Sequence, residues 1–515
     1  MSTTPSPPDA TGVRPQRLKF LLLISVFVIA TCGLVYELVA GTLASYLLGD
    51  SVTQFSTVIG AYLFSMGIGA FFSKYIQGRL IATFIRVEVM IGLIGGFSAA
   101  FLFLAFEQVS AFRLLLYGQV GLTGVLVGLE IPLLMRILQD RFEFKDLVSN
   151  IFTFDYIGAL LASVLFPVFL VPHLGLIRTA LLFGIFNIGV AVWASFSFGD
   201  QLRNPLSVRA MTFGSLVALI IAFIFAGDLQ SFAENAQYQE KIVLAKSSPY
   251  QRIVLTRGHE KFRLYLNGNL QFDSGDEYRY HEALVHTGLA ALPNAKRVLI
   301  LGGGDGMAMR EVLRYPGITE VQLVDLDAAV TQLFTARPDL ATLNAHALTD
   351  PRAKVVNADA FQWLRDCKTQ YDFICIDFPD PSNFSVGKLY STRFYEELRR
   401  VLAPGGIAVI QSTSPYVAPK SFWCVETTLR SAGFHTVPYH AYVPSFGEWG
   451  FVMAMNRPYT IPDSFPSGLR FVNANTVAQM LAFPPDMAWR EVEVNRLDNQ
   501  ALVRYFEQEW AHYVE

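Results

Sequence analysis

Charge is what this sequence has least of. Only 16% of its 515 residues are Asp, Glu, Lys or Arg, against 52% hydrophobic, and the mean hydropathy is +0.37. A wholly water-soluble enzyme carries more charge than this. The apolar excess lies almost entirely before about residue 228. Basic residues show no surplus either: the net charge is −3, which gives no case for a nucleic-acid partner. Cysteine is scarce, and Cys32, Cys367, Cys375 and Cys424 are too scattered for a disulfide framework or a thiolate metal site. No internal repeat is visible, so an inverted-repeat transporter is not indicated.

Long apolar runs are what the first half does contain. Residues 1–17, rich in Pro, Ser and Thr at their start, read as a disordered N-terminus. Residues 18–228 read as a multi-pass helical membrane domain. Runs near 20–40, 53–73, 82–106, 112–135, 151–172, 175–198 and 208–227 make about seven spans of bilayer length. Gly60, Gly67, Gly69 and Ala70 would let helices approach closely. Glu37, Glu88, Glu130 and Asp155 fall within or at the ends of these runs and need compensation there. The plainer expectation pairs them with Arg86 or Arg136; the sharper one is a cation site or path for a polyamine.

Arg14, Arg17 and Lys19 precede the first run, while Lys74, Arg79, Arg136, Arg141, Lys145, Arg203 and Arg209 fall in alternate loops. This bias predicts an integral inner-membrane protein with a cytoplasmic N-terminus. An odd number of spans would then put whatever follows on the far side.

After residue 240 the pattern shortens. Residues 240–275 alternate in β-like runs, with Asn267-Gly268 the best hairpin turn in the chain. A helix-like stretch from Tyr278 to Leu292 leads into residues 276–457, which read as a Rossmann-like α/β domain of the methyltransferase type. Residues 458–515 are a Pro-rich tail ending in an amphipathic helix near 500–513, with no role assigned beyond packing or a lid.

The α/β domain is organised around Arg297-Val-Leu-Ile-Leu-Gly-Gly-Gly-Asp-Gly306. An apolar strand breaks into Gly302, Gly303, Gly304 and Gly306, and a second strand, Val321–Leu326, carries Asp325 and Asp327 at its carboxyl end. Glycines at that point admit a ligand to the backbone, and the acid takes ribose hydroxyls. A dinucleotide pattern would want glycine where Met307 stands, so an adenosyl sulfonium is favoured over NAD. Asp305, Asp325, Asp359, Asp377 and Asp380 all fall at strand ends, where open α/β sheets bind ligands. Two suit an adenosine; three remain for a cationic amine and a sulfonium.

Between about 241 and 455 the chain resembles the spermidine synthases, the polyamine aminopropyltransferases. The resemblance rests on Ser248-Pro-Tyr-Gln251, Asn267-Gly-Asn-Leu-Gln271, Asp276-Glu277 through Tyr280-His281-Glu282, Gly302-Gly-Gly-Asp-Gly306, Asp377-Phe-Pro-Asp-Pro381 and Leu389-Tyr-Ser391 before Phe394-Tyr395. With its apolar half, the whole chain is similar to the membrane-fused bacterial branch. The resemblance implies a transferase with no metal and no resident cofactor, using decarboxylated S-adenosylmethionine as co-substrate. Its acceptor would be an amine, putrescine first, giving spermidine and methylthioadenosine. The lipid bilayer is a further partner, and the resemblance leaves room for a homodimer.

The resemblance also implies roles. Asp377 would be the catalytic base. His281, Asp305, Asp380, Tyr280 and Gln271 would hold amine or aminopropyl groups. Gln251, Gly302, Gly304, Asp325, Asp359 and Ala360 would hold the methylthioadenosine part. The family usually has Glu at 325, glycine at 360 and small residues at 378 and 379; here stand Asp325, Ala360, Phe378 and Pro379. The late loop differs too, reading Ser445-Phe-Gly-Glu-Trp-Gly450. Two other readings share parts of the pattern: an S-adenosylmethionine methyltransferase, and a non-catalytic polyamine-binding or transport protein.

Overall fold

The computed structural model describes residues 13–48, 51–106, 111–139, 143–227, 238, 240–258 and 261–514. The chain divides into two compact units, Met1–Gln239 and Glu240–Glu515.

Among the described residues the first unit is built of helices: α1 (Val13–Leu48), α2 (Ser51–Ser73), α3 (Leu80–Phe106), α4 (Phe112–Leu138), α5 (Phe144–Leu165), α6 (Val171–Ser197) and α7 (Pro205–Ile224). Helix α1 starts at Val13, so residues 13–17, expected to be disordered, are helical; residues 1–12 lie outside the described residues. Six helical stretches are long and apolar enough to cross a membrane. One of them, Lys145–Ser197, is a 53-residue run in which α5 passes through a π-helical turn, Phe166–Leu170, into α6. The run is two helices meeting at a kink, where Gly175 leaves helical geometry (φ 74°, ψ 174°). The expected gap between the fifth and sixth spans is therefore a break inside one run, and the helices alone do not establish a count of seven.

Helix α2 packs on α4, α3 on α6, and α1 on α5. A Cβ on Gly69 would strike the Val125 carbonyl oxygen, so this glycine brings the α2 and α4 backbones together. Gly60 and Gly67 do not act this way: nothing lies within 4 Å of a Cβ built on either. The expected pairing of the four acids with arginine is also absent. Arg136 donates to the Ser73 carbonyl (2.9 Å), and among the described residues the bundle's one ion pair is Lys145–Glu143.

The second unit opens with a four-stranded antiparallel sheet in the order β1 (Lys241–Ser247), β2 (Arg252–Gly258), β3 (Lys261–Leu266), β4 (Asn269–Asp273). Asn267 (φ 51°) and Gly268 (φ 81°) form the β3–β4 turn with both central residues at positive φ, which is why that dipeptide reads as a hairpin. The main sheet has seven strands in the order β10-β11-β9-β8-β5-β6-β7. They are β5 (Arg297–Gly302), β6 (Glu320–Asp325), β7 (Ala353–Asn357), β8 (Tyr371–Asp377), β9 (Leu402–Gln411), β10 (His435–Val443) and β11 (Gly447–Met455). Strands β5 to β9 run parallel, β11 alone runs against them, and β10, antiparallel to β11, points the same way as β5 to β9. The chain moves outward from β5 through β6 and β7, then restarts at β8 on the other side. The switch point therefore lies between β5 and β8.

The tail belongs to this unit as a clasp. Glu509 accepts the Lys420 and Ser421 N–H groups at the start of the helix Pro419–Ser431. Asn495 donates to the Gly387 and Tyr390 carbonyls, and Glu282 accepts the successive N–H groups of Arg470, Phe471 and Val472.

Candidate active site

Register sets the site. Gly302 at the end of β5 lies directly across from Asp377 at the end of β8, and Asp325 ends β6 opposite Asn357. Adjacent strands are about 4.8 Å apart, so the two acids flank the glycine turn. Gly302 (φ 81°) cannot carry a side chain, because its Cβ would run into the Asp377 carbonyl oxygen. A Cβ on Gly304 would lie 2.8 Å from the Asp325 carboxylate. Instead the Gly304 N–H donates to Asp325 Oδ2 (3.0 Å) and the Asp327 N–H to Oδ1 (2.8 Å). Burial raises Asp325 to about 6 in spite of these two donors.

The helix α8 (Glu277–Leu289) delivers Tyr280 and His281 to the same place. Tyr280 donates its hydroxyl to Asp377 Oδ1 at 2.6 Å, and its ring packs edge-on against Phe446 at 6.1 Å. His281 is 3% exposed and bonds Glu277 Oε2 at 2.7 Å, while Arg310 grips both Glu277 oxygens at 2.9 and 3.0 Å. Burial alone would lower the His281 pKa. The Glu277 carboxylate outweighs it, with Asp305 and Asp377 adding, and lifts the imidazolium to about 9. Burial works the other way on Asp377 and pushes it up to about 6; His281 opposes the rise, Asp305 adds to it, and the Tyr280 hydroxyl opposes it. Asp305 is raised by burial and held back by His281, and its Oδ1 accepts the Met307 N–H at 2.8 Å.

Asp380 lies beyond β8, where Gln411 and Thr413 donate to its two oxygens at 3.4 and 3.2 Å. Burial raises it to about 7 against both donors. Gln411 also donates to the Phe378 carbonyl (2.6 Å) and accepts from Trp449 Nε1 (3.2 Å). Two departures from the family pattern thus find physical uses. Phe378 turns into the core against Phe394 and Tyr390, and the altered 445–450 loop sets Phe446 beside Tyr280 and Trp449 on Gln411.

On the β6 side of the glycine turn, Gln251 reaches the strand ends through Asp327. Asp327 Oδ2 accepts from Gln251 Nε2 (2.8 Å) and Ser248 Oγ (2.7 Å), and Oδ1 caps the next helix at Ala329. Asp359 caps the helix Ala360–Asp366 and pairs with Lys388 at 2.7 Å; Ala360 is buried in its first turn. Burial would raise Asp359, but Lys388 and the capped N–H groups hold it below the usual range. Gln271 is not drawn into either group: its hydrogen bond goes to the Asn269 carbonyl on the edge strand β4.

Tyr280, His281, Asp305 and Asp377 therefore form one interacting cluster, with Asp380, Asp325 and Asp359 at neighbouring strand ends. Sequence reasoning missed Glu277 and Arg310 as the holders of His281, Asp327 as the anchor of Gln251, and Gln411, Thr413 and Lys388. Asp327 left a signal, two residues beyond Asp325 at a strand end, and Glu277 another, in a quoted motif one helical turn before His281.

Residues 277–463 match the spermine/spermidine synthase domain. Over nearly its whole length the chain is 53% identical to polyamine aminopropyltransferase 1 of Ralstonia nicotianae, covering 98% of each chain. It is 51% identical to the polyamine aminopropyltransferase of Leptospira interrogans, covering 95% of this chain and 98% of the relative. A spermidine synthase solved with the transition-state analogue AdoDATO is 26% identical, covering 47% of this chain and 86% of that one, with a TM-score of 0.44. The two curated relatives align through the helical half as well, in keeping with the fused branch. The methyltransferase and non-catalytic readings give way: this chain belongs to the polyamine aminopropyltransferase family, enzymes that take decarboxylated S-adenosylmethionine as co-substrate.

Proposed function

We propose that Asp377 is the base of aminopropyl transfer and that the acceptor is putrescine, giving spermidine. The observation that carries this reading is the 2.6 Å bond from Tyr280 to Asp377, across from Gly302 at the switch point. It holds one carboxylate oxygen and leaves the other facing the crevice beside Gly303, 3.1 Å from where a Cβ would be. The acceptor nitrogen attacks the aminopropyl carbon bonded to sulfur. The C–S bond breaks, its electron pair returns to sulfur, and neutral methylthioadenosine leaves. The proton lost by the amine goes to Asp377.

Magnitudes favour a raised carboxylate. Moving a proton from an ammonium of pKa about 10.4 to an ordinary aspartate costs about 9 kcal/mol. Raising Asp377 to about 6 lowers that by about 3 kcal/mol. Charge counting favours a diamine. Asp377 takes the reacting amine, Asp305 the donor's ammonium, and Asp380 the distant ammonium of the acceptor. Asp325, Asp359 and Gln251 are left for the adenosine. A triamine acceptor would bring one more cation than this set matches.

The bundle fits a bilayer: Phe64, Leu114, Leu160, Val168 and Ile224 are each more than half exposed, an apolar surface that water would not tolerate. We place the N-terminus in the cytoplasm on the loop charges, and the catalytic unit opposite if the 53-residue run crosses twice; a cytoplasmic reporter signal from a fusion after residue 235 contradicts that placement. For the reaction itself, the purified protein is given decarboxylated S-adenosylmethionine with putrescine, cadaverine, agmatine or spermidine. The expected result is highest kcat/KM with putrescine; a clear preference for spermidine overturns the acceptor assignment.

A further inference from the structure

Within the helical unit, α1, α2, α4 and α5 line a partly open cavity of about 150 Å³ that no step of the transfer chemistry uses. Its volume is enough for several waters. Three acids line it, Glu37 from α1, Glu130 from α4 and Asp155 from α5, together with Tyr62 and aliphatic side chains such as Leu34 and Met66. Glu130 is 2% exposed, and no N–H or hydroxyl group donates to its Oε1. The Glu88 carboxyl, wholly buried on α3, is within hydrogen-bonding reach of it, so the two acids can share a proton, and Glu88 Oε2 also accepts from Asn187 (2.7 Å). Among the described residues no basic side chain pairs with any of these acids, since the bundle's ion pair is Lys145–Glu143. A proton shared by Glu88 and Glu130 neutralises one of that pair, and the buried carboxylates that remain are costly unless a further proton or a cation joins them. In a bilayer such groups mark a site more often than a scaffold.

The walls decide what kind of cation. A metal ion would need several oxygens converging on one point at about 2.0–2.6 Å, and no group of three or more metal-binding side chains converges so among the described residues. Here the carboxylates come from three different helices and share the cavity lining with aliphatic side chains. That arrangement suits a chain of methylenes carrying ammonium groups. We propose that the cavity between α1, α2, α4 and α5 is a binding site for an aliphatic di- or polyamine, separate from the catalytic centre. Glu130 and Glu37 or Asp155 hold its charged ends, and the aliphatic wall covers its methylenes.

The test uses the full chain in lipid nanodiscs and equilibrium dialysis with radiolabelled 1,4-diaminobutane, counting bound amine per chain. Glu130→Gln is expected to remove one equivalent, or to weaken it by about tenfold to a hundredfold, the worth of one charge-assisted contact. Turnover in this variant should match wild type and so report an intact fold. Glu130→Asp, which keeps the charge, should retain the site, and Glu37→Gln provides a second deletion should Glu130→Gln fold poorly. Unchanged stoichiometry and affinity in both Gln variants overturns the proposal. So does full displacement of the amine when sodium replaces choline at constant ionic strength, which would make this a metal-cation site.

Discussion

Replacing Tyr280 by Phe should move the acid limb of the pH profile to higher pH. Tyr280 donates to Asp377 Oδ1 at 2.6 Å and so favours the ionised carboxylate, the form a base requires. Asp377, raised by burial to about 6, should set the acid limb of kcat/KM near that pH in the free enzyme. A hydrogen bond to a charged acceptor is worth about 1.5–3 kcal/mol, which corresponds to about one to two pH units. The ring stays in Phe, so the packing against Phe446 and Phe451 is kept. The limb should therefore rise to about 7–8. At pH 7 the ionised fraction falls from about nine-tenths to between a half and a tenth, with kcat/KM following, and most of the loss returns by pH 9. Methylthioadenosine release measured from pH 5 to 9 gives the profile, and the protonation slope of the amine substrate is common to both enzymes. Thr413→Val is the control, because Thr413 donates to Asp380 instead. A limb that moves with Thr413→Val and stays put in Tyr280→Phe would assign the base to Asp380 and refute this reasoning.

Two further expectations concern the charges around Asp377. Glu277→Gln removes the partner that lifts His281 to about 9, so the imidazole should titrate well below that in histidine NMR. Because the folded pKa is the higher one, this pair's stabilisation is present below about pH 6.5 and fades as pH rises through 9; equal melting temperatures for the variant and wild type at pH 6 would show that the pair contributes nothing. Asp305→Ala should weaken binding of decarboxylated S-adenosylmethionine more than of methylthioadenosine, since only the former carries the ammonium. Equal losses in calorimetric titrations would mean that Asp305 shapes the glycine turn, through its bond to the Met307 N–H, rather than reading charge.

The parts of the fold that could be read from sequence are those with a local cause. Strand β5 announces itself as an apolar run broken by glycines, and Asn267-Gly268 fixes the β3–β4 hairpin by its positive φ angles alone. The β10–β11 pair was missed because Pro438 interrupts His435–Val443; the proline is tolerated since β10 is the sheet's edge. The count of seven spans is left unconfirmed where a π-helical turn carries α5 into α6 without a loop, the break coming only at Gly175. At the site, the acids at strand ends were legible because topology puts all such ends on one crevice. Their holders were not. Arg310 meets Glu277, Asp327 meets Gln251 and Gln411 meets Asp380 across sequence separations of 33, 76 and 31 residues, so no spacing rule announces them.

The central claim is that a buried carboxylate at the end of β8 takes the proton from the attacking amine. The most direct measurement is single-turnover aminopropyl transfer by Asp377→Asn, with methylthioadenosine affinity measured on the same protein. The expected result is a rate lower by about a hundredfold to ten-thousandfold, the usual worth of a general base, with nucleoside affinity nearly unchanged. Transfer at close to the wild-type rate in Asp377→Asn would contradict the account.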